Sequence, residues 1–582
     1  MVLLSCVFLL SMPGFVPEIQ GISTANVSCH AAFISMAEFC ADLSKQTGQK
    51  ILIAEHLADR KLTINCQNKP LAEVLTKFAT TFGGTWAEVG RDLRFDLSPA
   101  TKSAEQQAID FEHQRVKEAV RHRIEALVEV GKADPDERKR MLREAEKEQD
   151  ALAAKNLSVD DPRVADIDSR LEVLRSGNWP SFGAAIEGKE NQIVSALLDR
   201  RTVFGVTGRG NGVVELPKSF FVSSLDQGAR EVLGEDFVGC TLFQLKKCGE
   251  WLHRASFFGR DSGSNSVVGP DLRGASAEPP VGSLRLTKIL RDWEAITDPA
   301  VLGTPMNPIE GGKVQGMGYS MPGLTVADQL LNLSERSGVP VIADAFRLAT
   351  TVPRWFTANA VGDWIHSFNQ HRFLHFLGEF KPGHVRTEGG WLMFRYGSYW
   401  TNLEPEVPER LLQPMERKQH DLGLDIDDYA NLSASLTPEQ ADGISRGVLV
   451  GFDLRPLSGG FNTLLLWSSL SQTQKEQALG AGLPMSSLSS DQTGNMREVL
   501  AEGMGNSLRA LLPLLCGTQP SQPLVVRCKG FPGELNEWKQ TFGTGSGGQV
   551  APRTDANFSI RITMGTTDLT DVMFSLPTKA GI

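Results

Sequence analysis

The chain reads as a multidomain α+β protein, and three observations predict it. The stretch SMAEFCADLSKQTGQKILIA, Ser35 to Ala54, recurs without a gap as TVADQLLNLSERSGVPVIAD, Thr325 to Asp344, 290 positions later (325 minus 35). A charged segment of helical composition lies between the copies, and a strand-rich segment ends the chain. At 582 residues the chain exceeds one core, and about 150 residues per domain gives roughly three to five units. The fold expected is two small βαββαββ-type modules with a helical insert and a strand-rich C-terminal region.

The first element to place is the leader. Met1 to Phe15 is an apolar run of signal-peptide length, too short for a bilayer span, and Ser23-Thr24-Ala25 offers small residues for cleavage. Residues 1–25 are therefore expected to direct export, although no Lys or Arg precedes the run. The competing reading is a buried strand. Leu3-Leu4-Ser5-Cys6 has lipobox spelling but no hydrophobic run ahead of it.

Residues 26–100 read as strand, helix, strand, strand, helix and a closing hairpin. Asn26 to Phe33 is the first strand. Ser35 precedes a helix-period run of Met36, Phe39, Cys40 and Leu43 that stops at Gly48, which suits the left-handed residue after a helix. Strands follow at Lys50 to Ala54 and Leu62 to Asn65. Pro70 opens a second helix with Leu71, Val74, Leu75 and Phe78 on one face. Gly83-Gly84 ends it, and Thr85 to Val89 with Leu93 to Leu97 forms a hairpin over Gly90-Arg91-Asp92.

This order, with the wording L-S-K-Q-T-G-Q-K-I-L-I-A … L-T-I-N-C-Q-N-K-P-L-A-E-V-L-T-K-F, resembles the short N-terminal domain shared by secretins and TonB-dependent receptors. The resemblance spans about 75 residues and rests on the register of Leu43, Gly48, Pro70, Leu71 and Leu75. It implies a bacterial, periplasmic, STN-like module that meets envelope proteins, with exposed strand edges offering contact by strand addition. The rest of the chain departs from that family, since no long series of alternating strands suits a barrel.

Residues 101–176 turn to Glu, Lys, Arg and Ala. Val116, Val120, Ile124 and Leu127 mark one amphipathic helix, and a second is expected from Asp136 to Lys155, its charges a solvated face. Residues 177–260 mix short strands and helices. Within them Gly205 to Gly212 invites a phosphate-loop reading, but Val213 to Leu216 reads as a strand where a helix is needed, so a glycine-rich hairpin is expected. Residues 261–283, rich in Ser, Gly and Pro, are expected to form a linker or loop.

Residues 284–405 hold the second STN-like module. Its strands are expected at Gly316 to Ser320, Val339 to Ala343, Pro353 to Phe356 and Gly389 to Tyr396, and its second helix at Asn359 to Phe368. Residues 406–500 read as mainly helical. Leu436 to Gln440, Leu470 to Gln474 and Leu488 to Gln492 all spell L-[ST]-x-x-Q, a reciprocal helix-start cap worth about 1 kcal/mol each. Strands are expected between them at Val448 to Leu454 and Thr463 to Trp467, then at Leu524 to Arg527, Phe558 to Met564 and Val572 to Leu576 in the strand-rich region 501–582, with glycine-rich turns near Gly543 to Gly548.

Composition excludes some functions. A charged fraction of 22% and a net charge of −10, with no basic aromatic stripe, argue against a nucleic-acid partner. Beyond the leader no stretch is apolar enough to span a membrane. Of the eight cysteines, Cys240 with Cys248 and Cys516 with Cys528 form local pairs, and Cys29 can meet Cys66 if their strands are neighbours; buried free thiols are the alternative.

Signs of chemistry are sparse. His366, His371, His375 and His384 cluster, and on a helix His371 and His375 would share a face with Glu379 as a third metal ligand. The same stretch reads equally as a strand, which separates the two imidazoles by roughly 13 Å. Asp425, Asp427 and Asp428 imitate the head of a calcium loop, but Ala430 and Leu436 stand where glycine and an acid are needed. No G-x-S-x-G or H-E-x-x-H occurs. The expectation is a non-catalytic exported envelope protein without cofactor; the alternative is a metal-dependent or other hydrolase on the His366 to His384 segment.

Overall fold

The computed structural model describes residues 22–155, 162–175, 179–199, 201–207, 213–216, 218, 221, 238–246, 251–260, 263–268, 272–273, 281–307, 325–347, 358–370, 373–375, 378–380, 383–397, 399–421, 424–446, 455–502, 508–515, 522–529, 535–538 and 553–578. The first module assembles from local signals. β1 (Asn26–Ser35) runs into α1 (Met36–Thr47), where the Glu38 amide donates to Ser35 Oγ at 3.1 Å and the Ser35 amide to Glu38 Oε2 at 3.2 Å. Gly48 ends the helix at φ 70°, a conformation glycine reaches without a Cβ clash.

β2 (Ile51–Ile53), β3 (Lys61–Pro70), α2 (Leu71–Phe82), β4 (Gly84–Val89) and β5 (Asp92–Leu97) follow, matching the expected order. Pro70 caps α2 one position before its first turn. β2 is parallel to β5 and β5 antiparallel to β4. Between this three-stranded sheet and the two helices, Phe39 stacks on Phe78 at 5.4 Å and Phe95 meets Phe78 edge-on at 4.8 Å. Truncating buried Phe78 to Ala would remove about 3–5 kcal/mol.

The insert is helical, as its composition implies. α3 (Pro99–Lys132) starts behind a Ser98 cap and α4 (Pro135–Ala153) behind Asp134; α5 (Pro162–Arg175), α6 (Trp179–Ile186) and α7 (Glu190–Leu198) carry the helical unit past the expected boundary at 176. A sheet follows, built from β6 (Val203–Val206), β7 (Val213–Glu215), β8 (Val238–Lys246), β9 (Trp251–Arg260), β10 (Gly263–Val268) and β11 (Leu272–Arg273), in the order β10-β9-β8-β6-β7 with β11 on β9.

Two expectations are overturned here. β6 and β7 run parallel, Phe204 opposite Val213, so the glycine-rich stretch is not a hairpin. The 261–283 stretch is not a structureless linker, because Gly263 to Val268 pair with Arg260 to Ala255 of β9. Low strand propensity reports side-chain preference alone, and the adjacent edge of β9 supplies the ladder that Ser, Asn and Gly do not favour by themselves.

The second module repeats the first. α8 (Val281–Glu294) and α9 (Pro299–Leu302) precede α10 (Val326–Ser337), β12 (Val341–Ala345), α11 (Val361–Gln370), β13 (Phe373–His375), β14 (Gly378–Phe380), β15 (Gly383–Glu388) and β16 (Trp391–Tyr396). β12 is parallel to β16 and β16 antiparallel to β15, the topology of β2, β5 and β4. The Asp328 amide donates to Thr325 Oγ1 at 3.1 Å, and Gly338 sits at φ 72°. A Cβ on Gly84 would stand 2.2 Å from Phe95 Cζ, and one on Gly383 2.3 Å from Phe394 Cζ, so each hairpin admits its ring only over glycine. The strands expected at Gly316 to Ser320 and Pro353 to Phe356 lie outside the described residues.

β3 joins the modules. It pairs antiparallel with β1 on one side and β12 on the other, Ile64 opposite Ile342, giving the sheet β1-β3-β12-β16-β15. Val341, Ala343, Leu392 and Phe394 pack into the core of α10 and α11, whereas Ile342, Trp391 and Met393 join the α1–α2 core. β12 and β16 are therefore buried on both faces, which is why each reads as an apolar run broken by a single charged residue, Asp344 in β12 and Arg395 in β16.

The C-terminal unit holds α12 (Tyr399–Leu403), α13 (Glu409–Asp421), α14 (Ile426–Ser435), α15 (Pro438–Arg446), α16 (Arg455–Ser469), α17 (Gln472–Leu479), β17 (Leu483–Pro484), α18 (Ser490–Glu502), α19 (Leu508–Leu515), β18 (Leu524–Lys529), β19 (Leu535–Trp538), β20 (Arg553–Met564) and β21 (Thr567–Thr578). All three expected caps form: the amides of Thr437, Ser471 and Ser489 donate to Gln440, Gln474 and Gln492 at 3.0, 2.9 and 2.9 Å. Thr463 to Trp467 is not a strand but part of α16, which kinks at Gly460; beyond the kink Leu464 and Trp467, three apart, share a buried helical face. Val448 to Leu454 and Gly543 to Gly548 lie outside the described residues. Among the described residues no helix is long and apolar enough to cross a membrane.

Candidate functional site

The histidine cluster does not assemble as a helical ligand pair. Phe373 to His375 is a strand paired with Gly378 to Phe380, so the helix that would place His371 and His375 on one face is absent there. His371 lies outside the described residues; His375 and Glu379 sit on β13 and β14. His384 is buried on β15 with Nδ1 2.6 Å from Glu294 Oε2. Among the described residues no group of three or more His, Cys, Asp and Glu is placed to hold a metal. The three aspartates of the calcium-like stretch serve α14: Asp425 caps it, Lys418 reaches Asp428 at 2.6 Å and Lys475 reaches Asp427 at 2.6 Å.

Of the cysteines, Cys29 and Cys66 are brought together, directly opposed on β1 and β3. Cys240 and Cys528 are buried on β8 and β18, while Cys248 and Cys516 lie outside the described residues. Burial pushes the Cys528 thiol, like that of Cys40, up to about 12.

The junction between the modules is built from buried charge that no local motif signals. Arg395 on β16 donates from Nε to Asp344 Oδ2 at 2.9 Å and from Nη1 to the Thr81 carbonyl at 2.9 Å. The Tyr396 amide donates to Asp344 Oδ1 at 2.9 Å. Burial pushes the Asp344 carboxyl up to about 6, outweighing the pull of Arg395 and of that amide. Beside them the Tyr399 hydroxyl donates to Glu105 at 2.6 Å, and Arg60 holds the same carboxylate at 2.8 Å.

A second network lies where β1 leaves the sheet. Lys61, its side chain 0% exposed, contacts Glu406 and lies 2.9 Å from Glu409, which Arg347 grips at 2.6 and 2.9 Å. Phe33 stands at φ 58°, a left-handed conformation that costs a bulky residue about 1–3 kcal/mol. The strained bulge drops its ring against Ala327 and Ala345 of the second module, with the Arg347 guanidinium 5.2 Å away. These networks fasten one module to the other; each named charge is engaged by a neighbour.

The outer edges of the modules differ. At β1 the Ser28 amide donates to Gln46 Oε1 and Gln46 Nε2 donates to the Ser28 carbonyl, both at 3.0 Å, so a side-chain amide occupies the edge. At β15 the Thr387 amide donates to the Ile296 carbonyl at 3.2 Å, so the turn between α8 and α9 closes on this edge. β4 is the counterpart of β15, and among the described residues no strand pairs with its outer side. Counting the ladder from the Val89–Asp92 closing pair leaves the N–H and C=O of Trp86 and Glu88 facing away from β5.

No protein-family model, curated protein or solved structure matches the chain. What fold and site define is a multidomain α+β chain with a duplicated βα module whose copies share one sheet.

Proposed function

We propose that this chain is an exported, envelope-associated bacterial protein that binds or assembles with envelope partners through its two STN-like modules, without catalysis. The observation that carries the reading is the contrast between β15 and β4. The same edge of the same topology makes a backbone contact to the turn between α8 and α9 in the second module, from Thr387 to Ile296, and among the described residues pairs with no strand in the first. A partner segment laid antiparallel on β4 would meet outward-facing backbone groups at Trp86 and Glu88 and exposed side chains at Thr85, Ala87 and Val89. The edge is short and carries Glu88, which limits nonspecific pairing. The resemblance to the secretin and TonB-receptor module, together with the apolar leader, supports the envelope setting.

Glu88→Pro tests the edge directly. Proline is tolerated where the strand N–H faces solvent, so the hairpin is retained while one outward donor is lost. An envelope protein captured by the full-length chain, purified and titrated back, is expected to bind Glu88→Pro at least about fivefold more weakly, and Glu88→Ala normally. Equal binding by Glu88→Pro refutes the edge. Retention of the full chain in the cytoplasm refutes the envelope setting.

A further inference from the structure

We propose that Cys29 and Cys66 are a modification site, an intramolecular disulfide that locks the edge strand β1 onto β3. The two residues are direct partners in the antiparallel register. Such partners have Cα atoms roughly 4.5–5.5 Å apart, inside the window of about 4.4–6.8 Å that a disulfide spans. Both side chains turn to the same face of the sheet, into the α1–α2 core, 6% and 3% exposed. The Cys29 thiol donates to the Cys66 sulfur, so the two sulfurs already face each other.

The pair is also electrically asymmetric. Hydrogen bonding from Cys29 pulls the Cys66 thiol below its usual value despite burial, whereas the same contact and burial push Cys29 up. That asymmetry holds only while β1 is docked, so on the opened strand either cysteine can attack first: its thiolate attacks one sulfur of a small-molecule disulfide and expels one thiolate; the other cysteine, losing its proton, then attacks the protein-side sulfur of the mixed disulfide and expels the second. The protein loses two electrons and two protons, and the oxidant takes both up as two thiols.

Access comes from the position of the strand. β1 is paired on one side alone among the described residues, so exchange proceeds before β1 docks or when it peels away, and the closed bond is then shielded. The consequence is mechanical, because β3 also carries the pairing to β12: oxidation fixes the outermost strand of the sheet that unites the modules. This inference stands apart from the binding role and needs no partner.

The test uses the purified full chain, reduced and then incubated with oxidised glutathione in mild urea. Thiols are blocked with a maleimide in strong denaturant and the peptides mapped. The expected result is a Cys29–Cys66 cross-linked peptide and two fewer maleimide adducts than in the reduced chain, with Cys40→Ser behaving the same. Proteolysis within β1 is expected to slow at least about tenfold on oxidation. Cys66→Ser should leave Cys29 alkylated and abolish the slowing; should that variant not fold, the wild-type map decides alone. Free thiols at both positions, a persistent glutathione adduct, or pairing of either with another cysteine would overturn the proposal.

Discussion

Replacing Arg395 with Met removes the guanidinium from the module junction while keeping a long side chain. Arg395 and Asp344 are almost fully buried, 4% and 5% exposed, and joined at 2.9 Å. Removing one partner of such a pair leaves an uncompensated charge and costs about 3–5 kcal/mol. The loss carries a pH signature, because the Asp344 carboxyl is already pushed up from 3.8 to about 6. A carboxyl raised in the folded state contributes stability that is complete below its unfolded pKa and is lost as pH rises through the folded one. In the wild type that amounts to about 3 kcal/mol lost between roughly pH 4 and pH 6.

Without Arg395 the carboxyl titrates higher still, and the loss extends past neutrality. The variant should therefore trail the wild type by about 1 kcal/mol near pH 5, where Asp344 is mostly neutral in both, and by about 3–5 kcal/mol near pH 7.5. In a multidomain chain no single unfolding free energy is defined, so the assay is hydrogen exchange of the β12 and β16 amides at the two pH values. An equal loss of protection at both would refute Asp344 as the titrating group.

Three further outcomes are expected. Gly84→Ala and Gly383→Ala should each destabilise their own module by about 1–3 kcal/mol, because a Cβ would meet the ring of Phe95 or Phe394 at 2.2 or 2.3 Å; exchange protection in the matching hairpin reads it, and unequal losses would speak against equivalence. Phe33→Gly should be less harmful than Phe33→Ala, the reverse of the usual order in a strand, since Ala keeps the strain at φ 58° and loses the ring; thermal melting of the pair settles it. Gln492→Ala should lower the protection of α18 by about 1–2 kcal/mol, because Gln492 both caps the Ser489 amide and exchanges hydrogen bonds with Gln474 at 3.0 and 3.1 Å. A change within error would show that water replaces both.

The sequence by itself determined the features made by residues three or four apart. The caps at Ser35, Thr325, Thr437, Ser471 and Ser489, and the left-handed stops at Gly48 and Gly338, lie where spacing puts them, because donor and acceptor are neighbours on one helical turn. The duplication was legible for the same reason over α1–β2 and α10–β12, but the offset of 290 becomes 299 at the hairpin (383 minus 84), since β13 and β14 intervene. Only the tertiary structure decided that β3 pairs with β12, that β10 pairs with β9, and that Asp344 meets Arg395. Strand edges look alike in sequence, and which two meet depends on burying faces hundreds of residues apart. The strain at Phe33 follows from that same choice, because its ring meets Ala327 and Ala345 of the second module, a partner that no local pattern names.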